Sequence, residues 1–132
     1  MSTLLHIDSS VRAVSNTNPD HNSISKSIAL RFIETWQQHR PKDEYIYRDV
    51  GMNPPDFITQ DWIGAVFTHN GQRTPEQNEI LALSDKLIDE VSAADVIVIS
   101  SPMYNYGMPA QLKAWFDQIV RINKTFDFDL SR

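Results

Sequence analysis

The sequence predicts an α/β domain built on a parallel sheet, because strand and helix patterns alternate along its 132 residues. Three short apolar runs, at residues 4–7, 45–50 and 96–100, predict strands. Each run is followed by apolar residues at helical spacing, and right-handed crossovers then connect the strands in parallel. A doubly wound sheet places the first strand between the other two, in the order 2-1-3. The length predicts a single domain over residues 1–132.

Capping residues and prolines mark where the helices begin and end. The first helix begins after Ser23 or Ser25, either of which suits an N-cap, and Pro41 stops it. A later helix begins at Thr74, which is followed by Pro at the first helical position and Gln at the third, the pattern of a capping box. The last helix begins after Pro109.

The apolar positions predict where the core lies. Residues 96–99 are four β-branched residues in a row, which suits a strand covered on both faces. A short helix is predicted at residues 61–67. The predicted inner faces of the two later helices consist of Ile80, Leu83, Leu87, Ile88 and Val91, and of Leu112, Trp115, Phe116, Ile119 and Val120.

The composition argues against several classes of function. A net charge of −5 disfavours a surface for nucleic acid or anionic membrane, and no apolar run or secretory signal indicates membrane insertion or export. The absence of Cys excludes disulfides and thiolate sites, and it fits a reducing cytoplasm. The four His lack metal-ligand spacing, so no metal site is predicted, and His6 is assigned to the core or a sheet edge. The acidic residues are assigned to solvated faces.

Serines around the first strand-to-helix connection predict a phosphate site. Ser9 and Ser10 follow the first strand, and Ser23 and Ser25 stand at the head of the first helix. Their hydroxyls and the free N–H groups of a helix N-terminus suit a phosphate dianion. The alternative is that these serines only cap the helix and solvate the loop. Because no glycine lies in this connection, a dinucleotide fingerprint and a P-loop are both absent, and a terminal monophosphate remains.

The loop after the third strand predicts a site for a flat ring. Pro102 ends the strand pairing because it donates no N–H, and residues 103–107 offer an amide, two phenols and backbone N–H groups. A planar heteroaromatic ring such as a flavin needs this mixture of edge hydrogen bonds and a stacking wall. In a doubly wound sheet this loop faces the serines across one crevice. The alternative is that Tyr104 and Tyr106 only cap the core.

The serines and residues 102–117 together resemble the flavodoxin-like FMN-dependent NAD(P)H oxidoreductases, the group of azoreductases and quinone reductases. Residues 102–117 read Pro-Met-Tyr-Asn-Tyr-Gly-Met-Pro-Ala-Gln-Leu-Lys-Ala-Trp-Phe-Asp, and Arg121 and Thr125-Phe126 continue the similarity. This segment is the specific part of a resemblance that covers nearly the whole chain in the order of its elements.

The resemblance implies a flavodoxin-like fold that binds FMN. Phosphate contacts are implied for Ser10, Ser23 and Ser25, and the residues implied to bind the cofactor as a whole are Ser9, Ser10, Ser23, Ile24, Ser25, Pro102, Met103, Tyr104, Asn105 and Tyr106. The implied reaction passes hydride from NAD(P)H through FMN to quinones, azo compounds or similar small aromatic acceptors, with no catalytic residue of the protein. The implied assembly is a cytoplasmic homodimer with its site at the subunit boundary.

Two departures from the family pattern are visible. The loop over residues 11–22 is longer than in the compact azoreductases, and family members continue for two further strand–helix units. Three strands alone leave the apolar third strand at a sheet edge, which favours aggregation unless something covers it. The sequence therefore leaves open a truncated or cleaved chain, or a sheet completed by a partner or a swapped segment. The alternative functions are a noncatalytic flavodoxin-like electron carrier and an inactive fragment that associates through this edge.

Overall fold

A parallel sheet of three strands forms the centre of the protein, as seen in a computed structural model that describes residues 1–128. The strands are β1 (Thr3–Asp8), β2 (Glu44–Asp49) and β3 (Val96–Ser100), and their order is β2-β1-β3. The predicted parallel sheet with the order 2-1-3 is therefore confirmed. The single-domain prediction also included residues 129–132, which lie outside the described residues.

Residues 1–128 contain four α-helices. They are α1 (Ile24–His39), α2 (Gln60–Phe67), α3 (Pro75–Ala93) and α4 (Ala110–Ile119). Ser23 is the N-cap of α1, and its hydroxyl accepts from the backbone N–H of Lys26 at 3.2 Å. Thr74 and Gln77 form the predicted capping box of α3. None of the helices within residues 1–128 is long and apolar enough to cross a membrane.

The strand register sets which side chains share a face. β1 pairs in parallel with both neighbours, so that Asp8 lies beside Asp49 on one side and Ser100 on the other. The three strands therefore end level with one another. Because side chains alternate along a strand, Leu5 and Ile7 point to one face of the sheet and His6 and Asp8 to the other.

The apolar core lies between the Leu5 face of the sheet and helices α3 and α4. Its buried members are Leu5, Ile7, Val50, Leu87, Ile88, Leu112, Trp115 and Ile119. Two positions of the predicted inner faces were wrong: Ile80 is 37% exposed and Val120 is 54% exposed. The buried face of α3 is rotated relative to the predicted one, because Leu81 rather than Ile80 packs on α2. Val120 is exposed because it lies beyond the last turn of α4, as its C-cap.

The expectation that β3 is covered on both faces was also wrong. Ile97 is 40% exposed and Ile99 is 39% exposed, although both face the same side as Leu5 and Ile7. Within residues 1–128, β3 pairs only with β1 and forms one edge of the sheet. The helices that cover the central strand therefore leave much of this edge open.

Candidate cofactor site

The serine connection and the aromatic loop meet at the carboxyl ends of β1 and β3. A cavity of about 350 Å³ opens there, which is within the range of small-ligand sites. Its walls come from the first loop, the start of α1 and the loop after β3, and consist of Ser10, Arg12, Asn22, Ser23, Ile24, Ser25, Ile28, Pro102 and Tyr104. The structure thus brings three of the four predicted serines to one cavity with Pro102 and Tyr104.

The α1 side of the cavity has the chemistry of an anion site. Ser23 is buried at the N-cap, with its hydroxyl 3.4 Å from that of Ser25. The N-terminus of the 16-residue helix α1 adds free N–H groups and the positive end of the helix dipole. Arg12 supplies a guanidinium to the same wall. This set of hydroxyl, amide and cationic donors fits a phosphate ester.

The aromatic loop contacts the serine connection directly through Tyr104. The Tyr104 hydroxyl accepts from the backbone N–H of Val11 at 3.2 Å and lies 3.4 Å from the Ser10 hydroxyl. Ser10 Oγ also accepts from the backbone N–H of Arg12 at 3.1 Å. The loops are therefore held against each other at one wall of the cavity.

A tight turn presents the tip of the aromatic loop to solvent. Tyr104 and Gly107 exchange two backbone hydrogen bonds of 2.9 and 3.1 Å, and Asn105 and Tyr106 between them have φ values of 49° and 65°. Positive φ at both central residues is the geometry of a type I′ turn. Tyr106 is 96% exposed, so the alternative that it caps the core is wrong. Met103, Asn105 and Tyr106 do not line the cavity itself.

Ser9 and Ile24 take different positions in the site. Ser9 is fully buried and does not line the cavity, because its hydroxyl donates to the backbone carbonyl of Ser100 at 2.7 Å. Ile24 lines the cavity from the first turn of α1 and is 78% exposed. An exposed apolar side chain beside an anion site offers a surface for the less polar portion of a ligand.

A buried polar cluster lies at the carboxyl end of β1, next to the serine connection, and sequence reasoning missed it. Asp8 is buried, which corrects its assignment to a solvated face. Its carboxylate accepts from Tyr47 at 2.8 Å and lies 2.7 Å from His6 Nε2, while His6 Nδ1 lies 2.8 Å from the Tyr45 hydroxyl. His6 was assigned to the core or a sheet edge, and the structure places it buried on the central strand. The alternation of polar His6 and Asp8 with apolar neighbours on β1 was the available signal.

Hydrogen bonding determines the charge state of this cluster. Burial raises the pKa of the Asp8 carboxyl, but hydrogen bonds from His6, Ser100 and Tyr47 outweigh it and hold that pKa below its usual range. Burial, together with the charge of Asp8, raises the pKa of Tyr45 to about 12 and also raises the pKa of Tyr47. At neutral pH Asp8 is therefore an anion that accepts from the neutral phenol of Tyr47, while the neutral phenol of Tyr45 bonds to His6.

A buried ion pair links α1 to the same end of the sheet. Lys26, in the first turn of α1, is buried and donates to Asp49 Oδ2 at 2.7 Å. The Tyr47 hydroxyl also reaches Asp49 Oδ2, at 3.4 Å. The start of α1, which carries Ser23 and Ser25, is thereby tied to the end of β2.

Gly51 permits the closest backbone approach at the site. A Cβ atom on Gly51 would lie 1.9 Å from the carbonyl oxygen of Ser10 and 2.9 Å from the carbonyl carbon of Ser9. Any larger residue would push the serine connection away from the end of β2.

Within residues 1–128, no group of three His, Asp or Glu side chains is arranged to hold a metal ion.

The sequence of this chain matches a known family and several curated proteins. The family model described as "Flavodoxin-like fold" matches residues 2–131. The "FMN-dependent NADH:quinone oxidoreductase 2" of Idiomarina loihiensis is 92% identical over all 132 residues, which span 55% of that protein. The protein of the same name from Colwellia psychrerythraea is 64% identical over the whole chain, which covers 60% of it. The chain thus spans little more than half the length of these relatives.

Solved structures share the fold. An azoreductase from Bacillus anthracis superposes with a TM-score of 0.82 at 22% identity, covering 99% of this chain and 61% of that one. An FMN-dependent NADH-azoreductase from Bacillus anthracis in complex with FMN gives a TM-score of 0.81 at 21% identity, with the same coverage of 99% and 61%. At these identities the likeness shows the fold alone.

Proposed function

This chain belongs to the flavodoxin-like fold family, and from that premise we propose that it binds FMN and serves an NAD(P)H-dependent oxidoreductase of small aromatic acceptors. The observation that carries the proposal is the single cavity in which Ser10, Ser23 and Ser25 face Pro102 and Tyr104. The names of the relatives support FMN as cofactor, NADH as donor and quinones or azo compounds as acceptors.

Different segments of the chain bind the phosphate and the ring of FMN. Ser10, Ser23, Ser25 and the N-terminus of α1 hold the phosphate, because they supply hydroxyl and N–H donors on one wall. The loop from Pro102 to Tyr106 borders the ring, with Met103, Asn105 and Tyr106 on its exposed part. Ser9 contributes indirectly, since its hydroxyl is committed to Ser100.

When bound, FMN would supply the redox chemistry, which is the transfer of hydride from nicotinamide to an acceptor. The tasks of the chain are to bind, to orient and to exclude water from one side of the ring. Ile24 and Ile28 of α1 give the cavity wall apolar surface beside the phosphate donors. The exposed Met103 and Tyr106 provide apolar and aromatic surface where a flat acceptor is able to stack.

A flavin titration tests the proposal. The flavin-free chain is titrated with FMN while the fluorescence of the flavin is followed. We expect Ser25→Ala to weaken binding about tenfold, because a hydrogen bond to a charged group contributes about 1.5 kcal/mol. Ser92→Ala is the matched control, since Ser92 is exposed on the last turn of α3. A wild-type chain that takes up no FMN refutes the proposal.

Two other functions remain as alternatives with their own tests. A noncatalytic electron carrier would bind FMN without oxidising NADH or NADPH, which a direct absorbance assay at 340 nm measures. A chain that associates through the β3 edge without flavin chemistry is favoured by the exposure of Ile97 and Ile99. Concentration-dependent association in the absence of flavin would support that function.

We also propose a homodimer in the cytoplasm, as the family resemblance implies. Light scattering of the purified chain measures the number of copies. Fractionation of cells expressing the protein tests the compartment.

A further inference from the structure

The ends of β1 and β3 are joined by two side-chain hydrogen bonds in addition to their backbone pairing. Ser9 Oγ donates to the backbone carbonyl of Ser100 at 2.7 Å, and Ser100 Oγ donates to Asp8 Oδ1 at 2.5 Å. All three residues are buried, and none of them lines the cavity. Asp8, the last residue of β1, thus holds the side chain of Ser100, and Ser9, which follows it, holds the main chain.

The carboxylate in this arrangement is itself immobilised. His6 Nε2 lies 2.7 Å from Asp8 Oδ1, and Tyr47 donates to Asp8 Oδ2 at 2.8 Å. Both carboxylate oxygens are therefore engaged, so Asp8 is unable to rotate away from Ser100 without breaking other bonds. A buried acceptor with all its partners in place is rigid, because losing any one of them leaves a desolvated polar group.

The two chain segments diverge immediately after these bonds. Ser10 follows Ser9 and lines one wall of the cavity. Pro102 lies two residues beyond Ser100 and lines the cavity from the loop after β3. Beyond that point, the recorded polar contacts between the loops among residues 1–128 are those of the Tyr104 hydroxyl with Ser10 and Val11. The separation of the loops is thus set by the bonds at their base together with those of Tyr104.

We propose that Asp8, Ser9 and Ser100 form a clamp that sets the distance between the phosphate-binding and ring-binding walls, so that FMN engages both at once. These are positioning residues, and their role rests on the proposed function. A ligand with two linked groups gains affinity only when both subsites are reachable together. Loosening the clamp should therefore remove the advantage that FMN has over riboflavin, which lacks the phosphate.

The test compares the dissociation constants of FMN and riboflavin for the same variants. Ser100→Ala removes one bond of the clamp, and Ser9→Ala removes the other. In each variant we expect the ratio of the riboflavin constant to the FMN constant to fall about tenfold. Ser101→Ala is the matched control, because Ser101 is exposed and its hydroxyl contacts only the neighbouring Pro102 carbonyl. If both flavins weaken equally and the ratio stays constant, the residues only stabilise the fold and the clamp is wrong.

A second measurement needs no flavin. The backbone N–H of Val11 donates to the Tyr104 hydroxyl across the two loops, so its hydrogen exchange reports their separation. Ser100→Ala should accelerate this exchange severalfold in the flavin-free chain, while the amide of Leu5 in the central strand stays protected. Unchanged exchange at Val11 overturns the clamp. Faster exchange in a chain that binds no flavin supports the clamp and refutes only the proposed cofactor.

Discussion

Replacing Gly51 by Ala is expected to displace the serine connection and so weaken both the fold and the site. The new methyl group would lie 1.9 Å from the Ser10 carbonyl oxygen, whereas ordinary van der Waals contact begins near 3.4 Å. The backbone must therefore move by about 1.5 Å, the difference between these distances. The atoms nearest to this methyl group are backbone atoms of Ser9 and Ser10, which cannot move aside as the end of a flexible side chain can.

The size of the effect follows from this displacement. Overpacking a well-packed region costs about 1–3 kcal/mol, and because the clash is with backbone atoms, Gly51→Ala is expected to cost about 3 kcal/mol. A shift on the order of 1 Å in a binding group also reduces FMN affinity by roughly tenfold or more, since the Ser10 hydroxyl leaves the cavity wall. Urea unfolding, followed by tryptophan fluorescence, measures the first effect and flavin titration the second.

Gly64→Ala is the control variant, and it is expected to raise the free energy of unfolding where Gly51→Ala lowers it. Gly64 lies inside α2, and a Cβ there meets nothing within 4 Å. Alanine in a helix interior should stabilise the chain by about 0.5–1 kcal/mol. If Gly51→Ala unfolds at the same urea concentration as wild type and binds FMN equally well, the close approach does not position the serine connection.

Three further predictions concern single side chains. Tyr106→Gly should stabilise the chain by about 1 kcal/mol in urea unfolding, because glycine adopts the φ of 65° without strain; a loss of stability would contradict the turn assignment. Lys26→Met should cost about 3–5 kcal/mol, since it leaves the Asp49 carboxylate without its cation; a change below 1 kcal/mol would show that the ion pair contributes little. Because the pKa of Tyr45 is raised from 10 to about 12, its stabilising effect is complete below pH 10 and lost as the pH rises towards 12. Tyr45→Phe should therefore make unfolding less pH-dependent between pH 10 and 12, and an unchanged profile would contradict the raised pKa of this phenol.

Local sequence patterns predicted most of the fold. Strand positions, the capping box at Thr74 and the start of α1 depend on residues next to one another in the chain, so they were readable without coordinates. The order β2-β1-β3 followed from the alternation of strands and helices together with crossover handedness. The same topology predicted that Ser10 and Tyr104 would meet at one edge of the sheet, and the structure brings them to one cavity.

The predictions that were wrong depended on contacts between distant segments. The exposure of Ile97 was misjudged because four β-branched residues give no information about which elements lie beside the strand. Leu81 rather than Ile80 is buried on α3 because α2 packs there, and nothing near those residues in the sequence indicates it. A period of 3.6 residues predicts that a helix has an inner face, but neighbouring elements determine which residues occupy it.

The sequence by itself determined the sheet, its strand order and the two loops that meet at its edge, because periodicity and turn chemistry act over a few residues. Tertiary structure alone decided that Asp8 is a buried anion, that Ser9 holds Ser100 instead of facing the cavity, and that Gly51 must lack a side chain. Those outcomes depend on distances between atoms that are 41 to 92 residues apart in the chain, which no local pattern encodes.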